Sequence, residues 1–162
     1  MSRVNNQQLL RTPLGLLGCG FGAGLSPYAP GTVGTLVAIG PYLYLQHLPI
    51  AAYLGVLTLA MALGVWAGES VIRQVGSEDP SAFVWDEFVG FWITMIAAPP
   101  GWWWIALGFV MFRLFDILKP WPVKWADREL KGGIGAMADD VLAGIYAALA
   151  VYLTAFLFGV YF

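Results

Sequence analysis

The stretch Ile50 to Gly68, IAAYLGVLTLAMALGVWAG, decides the fold class. It is apolar throughout and close to the length of about 20 residues that a helix needs to cross a bilayer. Its surroundings extend the pattern, because no Asp, Glu, Lys or Arg occurs from Thr12 to Gly68, from Phe88 to Phe112 or from Val141 to Phe162. Charged side chains are costly in hydrocarbon, so charge-free blocks of this kind indicate membrane helices. The sequence therefore predicts an all-α, polytopic membrane helical bundle.

The composition agrees with a membrane setting and excludes several classes of protein. The 162 residues are 59% hydrophobic and 11% charged. Eight Lys or Arg and ten Asp or Glu give a net charge of −2, without the basic face that nucleic-acid binding requires. We therefore expect no nucleic-acid partner. A single cysteine, Cys19, excludes an internal disulfide, and a single histidine, His47, argues against a zinc site built from several imidazoles.

Breaker residues divide the apolar blocks into about five membrane helices. Pro49 separates the first two segments, and Pro99, Pro100 and Gly101 separate the third from the fourth. The first segment is short and contains Pro41, so it is expected either to span or to be half-inserted. The five segments are Thr32 to Leu48, Ile50 to Gly68, Phe83 to Ala98, Trp102 to Leu118 and Val141 to Phe162. Residues 1–162 form one membrane domain, with a cytoplasmic glycine-rich segment at 1–30 and a cytoplasmic loop at 119–140.

The basic residues predict the orientation, because Lys and Arg concentrate on the cytoplasmic side of membrane proteins. A cytoplasmic amino terminus places residues 1–30, 69–82 and 119–140 on that side. All the basic residues fall in or beside these segments: Arg3, Arg11, Arg73, Arg113, Lys119, Lys124, Arg128 and Lys131. The turns on the other side carry no formal charge. We therefore expect a cytoplasmic amino terminus and a carboxyl terminus outside.

The amino-terminal segment is rich in glycine, which predicts a shaped loop, since each glycine costs about 1 kcal/mol relative to alanine in a helix. Thr32 is expected to cap the first apolar helix, and Ser26 lies just before it. Free N–H groups at such a helix start would suit a phosphate, although a helix start with close packing explains the pattern equally well. Cys19 resembles a lipoprotein processing site, but the short apolar core before it favours a small buried thiol.

Acidic residues lie near the ends of three apolar segments, where carboxylates would repel one another unless a cation lies among them. Oxygen ligands without a cysteine or histidine cluster favour Mg²⁺ or Mn²⁺ over zinc. Neighbours on a helix diverge by about 100°, so one member of each adjacent pair is expected to reach a shared ion. Helix capping and pairing with Lys or Arg is the alternative for any single residue. The candidate ligands are Asp86, Glu87, Asp116, Asp139 and Asp140.

Two basic residues accompany these carboxylates. Arg113, Asp116 and Lys119 are spaced by three, so a helix would place them on one face. The residues alone leave an enzyme with a cytoplasm-facing metal site and a small ion- or proton-coupled transporter as the two function classes. Transport sites lie near the bilayer midplane, whereas these carboxylates lie near helix ends, which favours the enzyme.

Three runs resemble the phosphatidylglycerophosphatase A family. They are Gly20 to Thr35 (GFGAGLSPYAPGTVGT), Trp85 to Thr94 (WDEFVGFWIT) and Phe112 to Gly144 (FRLFDILKPWPVKWADRELKGGIGAMADDVLAG). Asp79 and Pro80 resemble an Asp-Pro pair that often precedes the second run in that family. The resemblance covers nearly the whole chain in the same order.

The resemblance implies an integral, Mg²⁺-dependent lipid phosphatase of the bacterial inner membrane, with its active site facing the cytoplasm. Such an enzyme converts phosphatidylglycerophosphate to phosphatidylglycerol by removing the terminal phosphate. Its catalytic and metal-binding positions would be Asp86, Glu87, Asp116, Asp139 and Asp140, and its substrate phosphate would bind to Arg113 and Lys119. The helix start described above adds Ser26 and Thr32 as candidate phosphate-binding residues. Attack by water and a transient phospho-aspartate both remain open.

Overall fold

A computed structural model describes residues 6–77 and 80–160. These residues are predominantly helical and contain no strand, which confirms the all-α prediction. Seven α-helices follow one another: α1 Pro13–Gly18, α2 Pro30–Leu45, α3 Ile50–Val75, α4 Trp85–Thr94, α5 Trp102–Leu118, α6 Val123–Glu129 and α7 Gly132–Leu157. Short 3-10 helices occupy Asn6–Arg11, Gly20–Leu25 and Met95–Ala97. Arg3 and Asp79, which were considered above, lie outside the described residues.

The core forms around α4, in which every residue except Asp86 is buried. This helix packs against α2, α3, α5 and α7. The Nε1 of Trp85 donates to the carbonyl of Ala60 at 3.0 Å, and the Nε1 of Trp92 donates to the carbonyl of Ala38 at 3.0 Å. A buried indole N–H needs such a partner, so these bonds hold α4 at a defined register against α3 and α2.

Two of the described helices, α3 and α7, are long and apolar enough to cross a membrane, with 26 residues each. The five-pass count is not confirmed. The third expected pass, Phe83 to Ala98, is wrong as a single spanning helix, because α4 has ten residues and is followed by a 3-10 turn. Ten residues rise about 15 Å, roughly half of the hydrocarbon thickness.

The segment at 119–140, expected to be a cytoplasmic loop, is not irregular, because α6 occupies part of it and α7 begins at Gly132. Gly133, near the start of α7, lets this helix lie directly against α3. A Cβ at Gly133 would overlap the carbonyl of Val65, and the N–H of Gly133 donates to Glu69 Oε2 at 3.1 Å. Close backbone packing thus offsets the low helix propensity of glycine. Asp139 and Asp140 consequently lie inside α7 instead of opening a helix.

The glycine-rich segment is not a loop throughout, because α1 occupies residues 13–18 and 3-10 turns follow at 20–25, interrupted by Phe21 and Gly22 in left-handed conformations. The Oγ1 of Thr12 caps α1 by accepting from the N–H of Gly15 at 3.2 Å. Cys19 is fully buried, which confirms the buried thiol. Thr32 is not the N-cap of α2. Pro30 opens that helix and Ala29 precedes it in a left-handed conformation, because proline is pre-organised for a first helical position.

Candidate active site

A cavity of about 620 Å³ lies where the amino-terminal ends of α2 and α4, the carboxyl-terminal end of α5, α6 and the first turns of α7 meet. Seven of the nine predicted site residues line it, which brings together side chains from three regions of the chain. They are Asp86, Glu87, Arg113, Asp116, Lys119, Asp139 and Asp140.

Local structure explains how the first four of these side chains are positioned. Asp86 and Glu87 occupy the first turn of α4, where the positive end of the helix dipole stabilises carboxylates. The Oδ1 of Asp86 also accepts the N–H of Glu87 at 2.9 Å. Arg113 and Asp116 lie one turn apart near the end of α5 and form an ion pair at 2.6 Å. This α5 face therefore points into the cavity.

Lys119 departs from the expected helical face. The α5 helix ends at Leu118, and Lys119 adopts a left-handed conformation with a φ of 43° just before Pro120. Its Nζ donates to Asp139 Oδ2 at 2.8 Å and also contacts Asp127 Oδ1. Although partial burial disfavours the charged form, the hydrogen bonds to Asp127 and Asp139 raise the pKa of the Lys119 ammonium group above its ordinary value. Lys119 thus remains a fixed positive charge that joins α5, α6 and α7.

The carboxylates form two overlapping groups. Asp86, Glu87 and Asp140 each place an oxygen within 4.8 Å of the others, and so do Asp116, Asp139 and Asp140. Asp140 belongs to both groups and is 3% exposed. Both Asp86 and Glu87, and both Asp139 and Asp140, therefore contribute an oxygen to these groups. The expectation that only one member of each adjacent pair would do so is wrong. The reason is that α4, α5 and α7 surround the groups from three sides.

Arg113 is the cation that connects these two groups. Its Nη1 contacts Glu87 Oε2 from the first group and Asp116 Oδ2 from the second. Its Nε is buried and has no hydrogen-bond partner among the described residues. A buried guanidinium with two carboxylate partners is held rigidly, because leaving any of these charges unpaired would be costly. Arg113 therefore fixes α4 relative to α5 at the cavity.

Sequence reasoning missed Thr35 and Asp127. The buried hydroxyl of Thr35 lies 3.1 Å from Glu87 Oε2 and 2.9 Å from the carbonyl of Gly31, and it can donate to either. A Cβ at Gly31 would overlap Glu87 Oε1, so this glycine lets α2 approach the site closely. The spacing of Gly31 and Thr35 by four residues could have shown that they share a helical face. No spacing in the sequence indicates the contact between Asp127 and Lys119.

The other two predicted positions do not join the cluster. Ser26 and Thr32 lie outside the lining of the cavity. The hydroxyl of Ser26 instead donates to the carbonyl of Tyr28 at 2.8 Å. The cavity wall nearest to them is formed by Ala29, Pro30 and Gly31. Asp79 is outside the described residues, although Pro80 lines the cavity.

The residues present fit a hard divalent cation. All the converging ligand atoms are carboxylate oxygens, the donors that Mg²⁺ prefers. Asp140 Oδ2 is buried and has no hydrogen-bond partner among the described residues, so the residue that belongs to both groups keeps one oxygen for a ligand. Asp86, Glu87, Asp116, Asp139 and Asp140 could hold such an ion, with Arg113 and Lys119 as the cations beside it.

Comparison with known proteins shows the family. The family model described as Phosphatidylglycerophosphatase A matches residues 16–155. The chain belongs to this family. The resemblance inferred from the motifs is thereby confirmed, and the chain is a phosphatase of this family. Family membership also favours the phosphatase over the transporter, the two function classes that the residues alone left open.

Three related proteins are similar in sequence to most of this chain. Phosphatidylglycerophosphatase A of Escherichia coli strain K12 is 46% identical over 145 residues, which cover 88% of this chain and 84% of the relative. The protein of the same name from Haemophilus influenzae is 42% identical, covering 88% and 89%. A Bacteroides thetaiotaomicron protein, named as a candidate phosphatidylinositol-3-phosphatase, is 40% identical, covering 89% and 94%. No solved structure matches this chain.

Proposed function

We propose that this chain is a Mg²⁺-dependent phosphatase that converts phosphatidylglycerophosphate to phosphatidylglycerol at the cytoplasmic face of the bacterial inner membrane. The observation that carries the proposal is the position of Asp140. This buried carboxylate belongs to both carboxylate groups and keeps one oxygen without a partner among the described residues. Two cations, Arg113 and Lys119, lie in the same cavity. Such a site combines metal ligands with groups that can neutralise a phosphate.

Binding of the terminal phosphate uses the cations of the site. A phosphate monoester resists attack until its negative charge is neutralised, and bound Mg²⁺ supplies part of that neutralisation. Arg113 can donate to phosphoryl oxygens from a position that Glu87 and Asp116 already hold, so little reorganisation is needed on binding. Lys119 contributes a fixed charge and not a proton, because its pKa is raised.

The nucleophile is water or one of the aspartates. Thr35 and Arg113 both contact Glu87, so this carboxylate is held in place as a positioning group. Asp86 and Asp140 are less constrained by hydrogen bonds, which suits residues that must orient an attacking water or attack directly. Single-turnover experiments with trapping of an acid-stable phosphoprotein distinguish the two routes.

The lipid substrate implies a cavity that opens at the membrane interface. Trp121 and Trp125 are exposed beside the cavity residues of α6, where amphipathic aromatic rings suit the headgroup region. We place α3 and α7 across the membrane, with the remaining apolar helices packed around them as a five-segment bundle. The amino terminus is then cytoplasmic, as the distribution of basic residues predicts.

Phosphate release from the purified chain in detergent, with phosphatidylglycerophosphate as the substrate, tests this function. We expect activity to disappear on chelation and to return with added Mg²⁺, because the clustered carboxylates exceed the cations that face them. Full turnover by protein verified to be metal-free would remove the metal from the mechanism. The absence of phosphate release at any Mg²⁺ concentration would refute the proposed activity.

A further inference from the structure

The cavity contains two cations that the chemistry above does not use. Its lining includes six carboxylates and four basic side chains, two of which are Arg128 and Lys131. Arg113 and Lys119 each contact two carboxylates, whereas Arg128 and Lys131 form no ion pair within residues 6–77 and 80–160. Arg128 lies in the last turn of α6, and Lys131 is the residue before α7. Both therefore remain available to an anionic ligand.

Exposure separates these cations from the other two. The side chains of Arg113 and Lys119 are 15% and 28% exposed, so they lie deep in the cavity. Arg128 and Lys131 are exposed although they line the same cavity, so they lie at its mouth. A ligand that extends from the carboxylate groups to the surface must pass them.

The substrate of the proposed function has a second anionic group that could reach Arg128 and Lys131 at the mouth of the cavity. Phosphatidylglycerophosphate carries a terminal phosphate monoester and, on the lipid side of its headgroup, a bridging phosphodiester. When the monoester lies deep in the cavity, at the carboxylate groups, the diester lies closer to the mouth of the cavity. We propose that Arg128 and Lys131 bind the bridging phosphodiester, so that the enzyme selects phospholipids whose headgroups carry a second, terminal phosphate. This assignment rests on the proposed function.

The chemistry of the two side chains suits this role. A diester phosphate has two non-bridging oxygens that share one negative charge, and a guanidinium such as that of Arg128 can bind both with two parallel hydrogen bonds. Lys131 adds a compact charge that needs no fixed geometry. Basic side chains near an anionic membrane surface also attract lipid headgroups. A general field effect would act on every anionic lipid, whereas a diester site acts only on lipids that contain the diester.

Steady-state kinetics with two lipids separate these effects. The substrates are phosphatidylglycerophosphate and phosphatidate, whose only phosphate is a monoester on diacylglycerol. The variants are Arg128→Gln, Lys131→Gln and the double variant of the full chain in mixed micelles with Mg²⁺. Lys124→Gln is the matched control, because Lys124 is an exposed lysine of α6 that does not line the cavity.

We expect Arg128→Gln to raise the KM for phosphatidylglycerophosphate roughly tenfold, as the loss of hydrogen bonds between charged groups predicts, and to reduce its preference over phosphatidate. Lys131→Gln should do the same to a smaller extent, and the control should match the wild type. A KM within about twofold of the wild type in the double variant, or equal losses on both lipids, would overturn the assignment. A wild-type chain that releases no phosphate from phosphatidylglycerophosphate refutes the proposed function itself.

Discussion

Arg113 shows how much of this site depends on the geometry of a single side chain. It contacts Glu87 on α4 and Asp116 on α5, and so connects the two carboxylate groups. Both contacts use Nη1, so the planar guanidinium keeps further N–H groups for phosphoryl oxygens, whereas lysine has a single nitrogen for all of these partners.

We therefore expect Arg113→Lys to reduce kcat/KM by about 10–100-fold while the chain still folds, since hydrogen bonds to charged groups contribute about 1.5–3 kcal/mol. Arg73→Lys is the control, because Arg73 forms an exposed ion pair with Glu69 on the surface of α3. Its kinetics should stay within about twofold of the wild type. Wild-type kinetics for Arg113→Lys would show that Arg113 only anchors the helix end.

Asp139 and Asp140 are adjacent and chemically identical, but their surroundings differ. Asp140 belongs to both carboxylate groups and has a buried oxygen without a partner among the described residues. Asp139 belongs to one group and accepts a hydrogen bond from Lys119 at 2.8 Å.

The two asparagine variants, Asp139→Asn and Asp140→Asn, should therefore differ in their effect on activity. Asp139→Asn is expected to lower activity by roughly 10–100-fold, as the loss of a supporting contact does, and Asp140→Asn to lower it further. The measurements are kcat and the Mg²⁺ concentration that gives half-maximal activity, with thermal unfolding as a check on folding. Equal losses in both variants would contradict the distinction drawn from the structure.

At the scale of elements, the crossing of α4 and α7 brings together carboxylates from two of the helices that form the site. Gly144 lies one helical turn after Asp140, and a Cβ at this position would be 2.5 Å from the carbonyl of Gly90. Thr94 bonds across the same crossing, with its hydroxyl 3.4 Å from the carbonyl of Gly144. Small residues thus let the backbones approach closely enough for Asp140 to reach Asp86 and Glu87.

Gly144→Ala is expected to push α7 away from α4 and to destabilise the chain by about 1–3 kcal/mol. Activity should fall as well, because Asp140 moves with the helix. Gly55→Ala in α3 is the matched control, since no atom lies within 4 Å of its added Cβ and alanine favours a helix by about 1 kcal/mol. The Tm in detergent and phosphate release test both variants. A Gly144→Ala protein as stable and active as the control would exclude a tight crossing.

For the whole molecule, the cavity and the α2–α3 turn lie at opposite ends of one helix. The α2 helix begins at the cavity wall with Pro30 and ends at Leu45, shortly before His47. Sixteen residues of helix rise about 24 Å. In the proposed orientation, α6 faces the cytoplasm and the turn at His47 faces the outside.

Single cysteines in a Cys19→Ala background test this orientation. The parent should not react with a membrane-impermeant thiol reagent, because it contains no cysteine. Lys124→Cys and His47→Cys replace exposed side chains at the two ends. We expect Lys124→Cys to react only in inside-out vesicles and His47→Cys only in right-side-out vesicles. The reverse pattern would invert the proposed topology.

Much of the candidate site was predictable, because placing charged side chains in apolar surroundings costs free energy and such residues are therefore few. Carboxylates and cations such as Asp86, Arg113 and Asp140 stand out in a sequence that otherwise excludes charge, and a helical spacing relates Arg113 to Asp116. Thr35 and Asp127 could not be recognised in this way, because their contacts with Glu87 and Lys119 join residues that lie far apart or on different helices.

Hydrophobicity and charge are properties of each residue, so the helical class, the apolar segments and the set of acidic and basic residues follow from the sequence alone. The predicted limits of the fourth segment, Trp102 to Leu118, are those of α5, whereas only the tertiary structure decided the limits of α4 and α7. Backbone packing of Gly133 against Val65 lets α7 begin at Gly132, and α4 ends after ten residues at Thr94, where the 3-10 turn Met95–Ala97 follows. The convergence of Asp86, Glu87, Asp116, Asp139 and Asp140 likewise depends on three helices meeting, which no local pattern encodes.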